Sequence, residues 1–146
     1  MENIISLLHS GGYSCVISNG ADVRTFTRRG VADLYDLLEN EPDFLKGASV
    51  ADKVIGRAAA ALMILGGVKE VYTDLISRQA LILFNATDTK LSYENSVDII
   101  HNRDKSGWCP LETICYEEES PEAILPLVKD FITRMRNSQI HTNPQT

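Results

Sequence analysis

Ser49-Val50-Ala51-Asp52-Lys53-Val54-Ile55-Gly56-Arg57-Ala58-Ala59-Ala60-Ala61-Leu62-Met63-Ile64-Leu65 is the longest apolar stretch of the chain, and Gly66-Gly67 closes it. Its opening has the form of a helix start. Ser49 can accept an N–H that the first turn leaves over, and Asp52 can reach back to the N–H of the cap. The glycine pair supplies a C-cap. The spacing therefore predicts one helix from Ser49 to Leu65, nearly apolar all round and central in the fold. Gly56 and Ala60 are four apart, and so are Ala59 and Met63. Such small side chains suit a helix pressed closely against a sheet.

Upstream, Val31, Leu34, Tyr35 and Leu38 repeat at helical spacing over Gly30 to Asn40, and Glu41-Pro42 ends that helix. Tyr13 to Ser18 alternates as a strand does. Asn19-Gly20 is a hairpin signal, because both residues tolerate positive φ, and a returning strand follows from Asp22 to Thr27. The first ten residues form a short helix on Ile4, Ile5, Leu7 and Leu8, stopped by Gly11-Gly12.

Downstream, Val68 to Ile76 reads as a strand, and Ser77 caps a helix from Arg78 to about Ala86. Lys90 to Asn95 reads as a shorter strand, and residues 97–101 as a further short strand or turn. A polar loop, Asn102 to Gly107, leads to a short helix at Cys109-Pro110. Ser120-Pro121 opens the last helix, with serine as cap and proline at its first position. Its stripe is Ile124, Val128, Phe131 and Met135. From Asn137 onward the periodicity is lost. The order predicts one three-layer α/β/α sandwich over residues 1–136, with a mixed sheet carrying an antiparallel edge, and a flexible tail over 137–146.

Composition bounds the function. The chain has 146 residues, 44% hydrophobic, with 14 Lys and Arg against 20 Asp and Glu, a net charge of -6. That is enough apolar residue for one packed core, and too much for long disorder. No apolar run reaches the length of a membrane span, and Met1-Glu2-Asn3 lacks the basic start of a signal peptide. No membrane partner is therefore expected. The net acidity disfavours a phosphate-dominated nucleic-acid surface. Three cysteines do not make a disulfide framework, and a reducing, cytoplasmic setting is the expectation.

Two polar constellations can carry chemistry. Asn102 to Glu112 is the richer. Cys109 falls at a helix N-cap, where the dipole favours a thiolate. Glu112 sits at the third helical position and can close a capping box with Cys109. Asn102, Arg103 and Lys105 can draw an anion to the same helix start. The bland alternative is an inert Cys109, a structural Glu112 and a solvated loop. Asp52-Lys53 is the second: Asp52 can orient a ligand hydroxyl and Lys53 can bind its phosphate, set against a capping role for Asp52 and a solvated Lys53. Arg28 and Arg29 can add charge or form a solvated turn. Trp108 can wall a pocket or anchor the core. The histidines, His9, His101 and His141, are scattered. Cys109 and Cys115 lack ligand spacing, so no metal and no cofactor is expected.

The run Ser49 to Ala60, together with Asn102-Arg103-Asp104, Gly107 and Cys109-Pro110-Leu111-Glu112, resembles a small prokaryotic family known as domain of unknown function 1893. Val68 to Tyr72 and Leu91-Ser92-Tyr93 fit the same family. The resemblance spans the chain to about residue 133. It implies a cytidine deaminase-like α/β/α sandwich and no established activity. Working deaminases place His or Cys, with a Glu two residues on, at the start of one helix, and Pro-Cys-x-x-Cys at the start of the next. Here those starts read as Asp52-Lys53-Val54 and Ser77-Arg78-Gln79-Ala80, with neither His nor Cys. The fold analogy survives that departure and the zinc-water reaction does not. The expectation is metal-free binding of a nucleotide-like or other anionic small molecule, an ADP-ribose-type molecule among them. The binding set is Asp52, Lys53, Asn102, Arg103, Cys109 and Glu112. Thiol-dependent transfer or hydrolysis through Cys109, with Glu112, is the enzymatic alternative. A structural or interaction module, including a homodimer, is the third.

Overall fold

The computed structural model describes residues 1–28, 31–100 and 110–142, and of Pro110 and residues 138–142 the backbone only. Helix α1 (Glu2–Gly11) precedes a hairpin of β1 (Cys15–Asn19) and β2 (Asp22–Phe26), in which Asn19 pairs with Asp22. Gly20 takes φ 63° at the turn, as the Asn-Gly signal requires. Helix α2 (Ala32–Asn40) and the short α3 (Pro42–Leu45) follow. Pro42 begins α3, where its missing N–H costs nothing. Two successive β-α-β units come next: β3 (Ser49–Ile55), α4 (Arg57–Leu65), β4 (Glu70–Ser77), α5 (Arg78–Asn85) and β5 (Lys90–Val97). Helices α6 (Pro110–Cys115) and α7 (Pro121–Thr142) complete the order.

The five strands form one sheet in the order β2-β1-β3-β4-β5. The β1 strand is antiparallel to both β2 and β3, while β3, β4 and β5 are mutually parallel. The mixed sheet with an antiparallel edge is thus present, with helices on both faces. The layers are unequal. One face carries the main core, to which α2 to α7 contribute. On the other, Ile4 and Leu8 of α1 pack on Val16, Ala51 and Tyr72.

The stretch that opens the sequence reading departs from expectation. Ser49–Ile55 is a strand, the central one, and the helix begins only at Arg57. The capping box predicted for Ser49 and Asp52 does not form. Ser49 Oγ instead hydrogen-bonds Glu70 Oε1 at 3.2 Å, and Asp52 Oδ1 accepts the N–H of Val54 at 3.2 Å. A strand flanked on both sides and covered on both faces reads as a near-continuous apolar run. The local cap signal lost to ladder bonding along β1 and β4, which satisfies more backbone groups than one box can. Gly56, extended at φ −99° and ψ −176°, makes the junction.

The remainder of the stretch behaves as predicted. Ala58 to Met63 of α4 are all buried, and the helix is enclosed by α2, α5, α6 and α7. Gly67 takes the left-handed conformation (φ 77°) just beyond the helix end. In α7 the buried seam is Ile124, Val128 and Ile132, while Met135 is half exposed. The helix continues to Thr142, past the point where apolar periodicity ends.

A polar pin fixes α1 to the sheet. Asp74 Oδ1 accepts from the Tyr72 hydroxyl (2.5 Å) and lies 2.8 Å from His9 Nε2. Burial and the adjacent Asp74 carboxylate push the Tyr72 hydroxyl pKa up. No helix among the described residues is long and apolar enough to cross a membrane.

Candidate functional site

The carboxyl ends of β3 and β4 each run directly into a helix. Gly56 precedes α4, and Ser77 precedes α5, so the positive ends of two helix dipoles converge on one side of the sheet. Ser77 Oγ accepts the N–H of Ala80 at 3.2 Å, the cap expected from the sequence. Gly56 has no side chain with which to cap α4. The cap arrives from elsewhere in the chain: both carboxylate oxygens of Glu112, on α6, accept the N–H of Arg57, at 3.0 and 3.1 Å. The same carboxylate is hydrogen-bonded by the Ser77 side chain. One buried anion therefore ties together the starts of α4, α5 and α6. Burial raises the Glu112 pKa above the ordinary carboxylate range, and the bonds from the Arg57 N–H and from Ser77 oppose that rise.

The Arg57 guanidinium accompanies this anion. Its Nε donates to the Glu118 carbonyl at 2.8 Å and Nη2 donates to the same oxygen. Its Nη1 donates to the Gln79 carbonyl (2.8 Å) and to Gln79 Oε1 (2.9 Å). Arg57 is only 4% exposed. These carbonyl and amide acceptors, with the Glu112 carboxyl nearby, compensate the guanidinium for its loss of water. Arg57 and Gln79 were not among the residues the sequence singled out. The signal was an arginine within an otherwise apolar helix, which has to be paired if it is inside.

Gly56 is required at this junction for space, not for backbone freedom. A Cβ there would stand 2.5 Å from Glu112 Oε1 and 2.9 Å from its Cδ. Gly56→Ala is expected to push the carboxylate off the Arg57 N–H and destabilise the fold by about 2 kcal/mol. Chemical denaturation measures it, and an unchanged midpoint would mean that the carboxylate relocates without loss.

Outside this junction lies an open hollow of about 520 Å³, lined by Arg78, Gln79, Ile82, Asp98, Ile99 and Tyr116. It sits between the first turn of α5 and the chain leaving β5. It offers an exposed arginine, an exposed carboxylate on Asp98, an amide, an aromatic ring and two apolar side chains.

A second polar cluster surrounds Asp52. This residue is paired across the sheet with Cys15. Burial, foremost, pushes the Asp52 carboxyl up to about 7, while hydrogen bonds from the Val54 and Lys53 backbone and from the Cys15 thiol hold it down in part. Burial and the facing Asp52 raise the Cys15 thiol well above its ordinary value. Arg28, at the surface, is paired with Asp33 of α2.

The predicted site residues thus occupy different settings. Glu112 is buried and serves as the cap of α4; its expected box with Cys109 lies outside the described residues. Asp52 is half-buried against Cys15, in a strand and not at a helix start. Lys53 is exposed on that strand, its N–H donating to the Ser14 carbonyl. Asn102, Arg103, Lys105, Trp108 and Cys109, with His101 and Arg29, lie outside the described residues. Among the described residues no three His, Cys, Asp or Glu side chains are grouped so as to hold a metal ion.

Comparison with known proteins places this geometry in a family. Residues 3–132 match the family described as Domain of unknown function (DUF1893). No curated protein matches the chain. A crystal structure of a DUF1893 family protein from Thermotoga maritima, at 2.70 Å resolution, is similar with a TM-score of 0.82 and 23% sequence identity. The match covers 88% of this chain and 87% of that one, and at this identity it establishes the shared fold. The chain belongs to the DUF1893 family.

Proposed function

We propose that this protein binds an anionic, nucleotide-like small molecule at the carboxyl ends of β4 and β5, without a metal ion. The observation that carries the reading is the hollow at the start of α5. Arg78 there can pair with a phosphate, Tyr116 and Ile82 can pack against a base, and Gln79 can hydrogen-bond its edge. The helix dipole adds to the attraction for negative charge. The anion cannot settle at the start of α4, because Glu112 already takes the Arg57 N–H.

The strand order, with α4 after β3 and α5 after β4, also supports a cytidine deaminase-like architecture. Zinc does not fit the residues at the corresponding place. The helix starts read Gly56-Arg57-Ala58 and Ser77-Arg78-Gln79-Ala80, without His or Cys. The buried Arg57 guanidinium is bonded to Gln79 beside them and would repel a second cation. No deaminase step follows from this arrangement.

Calorimetric titration with ADP, ADP-ribose and inorganic phosphate tests the reading. At least one nucleotide is expected to bind, and Arg78→Ala is expected to weaken it about tenfold, the worth of one charge-assisted contact. The Lys53→Ala/Arg103→Ala double variant examines the remaining cations. Lack of binding by all three probes, or equal affinity in wild type and Arg78→Ala, would overturn the site.

A further inference from the structure

We infer that the outer edge of β5 is a self-association surface, on which a second copy of this chain docks its own β5 antiparallel about an axis through Ser92. Strand β5 pairs with β4 on one side, and among the described residues no strand pairs with its other side. The Lys90 N–H donates to the Lys69 carbonyl at 3.1 Å, so the backbone groups of Lys90 point inward to the sheet. By alternation those of Ser92, Glu94 and Ser96 also point inward, and those of Leu91, Tyr93 and Asn95 point out. Three outward residues in a row, with no proline and no bulge, leave a usable ladder edge.

Only certain registers are open to such a pair. Antiparallel partners match outward residues with outward ones, so a twofold axis must pass through one residue and its own copy. An axis through Glu94 would oppose two like charges. An axis through Tyr93 would oppose Lys90 to Ser96 and Glu94 to Ser92. An axis through Ser92 sets Lys90 against Glu94 of the second copy, twice, at the non-hydrogen-bonded positions where side chains come closest. It also sets Leu91 against Tyr93 of the second copy, twice, as hydrogen-bonded pairs. Lys90 and Glu94 are exposed, and Tyr93 is 45% exposed although it lies on the helix-covered face with the half-buried Leu91. The register covers that ring and neutralises both charges. At the opposite edge, the Arg24 of β2 is committed to Glu41 and Asp22 and lies over the Phe44 ring.

The contact is a ladder edge, not a broad face, so a concentration-dependent dimer forms. Sedimentation of the full chain, up to about 1 mM, tests it. The mass is expected to rise from 16.2 kDa toward twice that value. E94K opposes two cations in this register and is expected to weaken association at least about tenfold. K90E/E94K exchanges the charges and restores it. Y93P removes an outward N–H without touching the β4 ladder and also abolishes it, with far-UV circular dichroism verifying that each variant is folded. A wild type that stays at 16.2 kDa throughout, an E94K protein that associates like wild type, or a K90E/E94K protein that stays dissociated would each overturn the inference.

Discussion

Glu112→Ala lowers the unfolding free energy by about 3 kcal/mol, the cost of leaving the buried Arg57 N–H and Ser77 without their acceptor and of emptying the space the side chain fills. The carboxylate accepts the Arg57 N–H through both oxygens and is also bound by Ser77. Its removal uncaps α4 and takes one partner from Ser77 at the start of α5. Glu112→Gln retains an acceptor oxygen and is expected to cost about 1 kcal/mol, the worth of an ordinary cap. Urea denaturation of the two variants separates the alternatives. Equal losses would mean that packing, not hydrogen bonding, is what Glu112 contributes. No loss in either would mean that water caps α4 equally well.

Asp52→Asn raises stability above neutral pH and leaves it nearly unchanged in acid. The Asp52 carboxyl is shifted from 3.8 up to about 7 in the folded chain, mainly by burial. Below the unfolded pKa both states carry a neutral group, and the residue makes no pH-dependent contribution. Between the two values the unfolded chain releases the proton more readily, so the folded state loses ground as pH rises. Above about 7 the deficit is constant. The full shift corresponds to about 4 kcal/mol, and screening of a half-buried group reduces the expectation to about 2 kcal/mol. The measurement is the unfolding free energy of both proteins between pH 4 and pH 8. Parallel curves would show that Asp52 is not the titrating group.

Both effects arise from residues whose sequence context pointed to a different job. Ser49 and Asp52 have the spacing of a capping box, and Glu112 has the position for one with Cys109. The first box is absent, because Asp52 lies in β3; Cys109 lies outside the described residues, and Glu112 caps a helix 55 positions away. Capping patterns are local and recur by chance. Whether such a pattern is used depends on whether the backbone there has a stronger alternative, and for β3 that alternative is a ladder on both sides.

The hairpin at Asn19-Gly20, the Ser77 cap, the Ser120-Pro121 start of α7 and the burial of Ala58 to Met63 follow from the sequence alone. Each rests on interactions within a few residues, or on a periodicity that only one arrangement can bury. The identity of β3 as the central strand, the convergence of α4 and α5 on Glu112, and the engagement of Arg57 by Gln79 and Glu118 were decided by tertiary structure. Those contacts join residues 22 to 61 positions apart. A single buried charge has many formally acceptable partners along a chain, and only the closed packing around it selects among them.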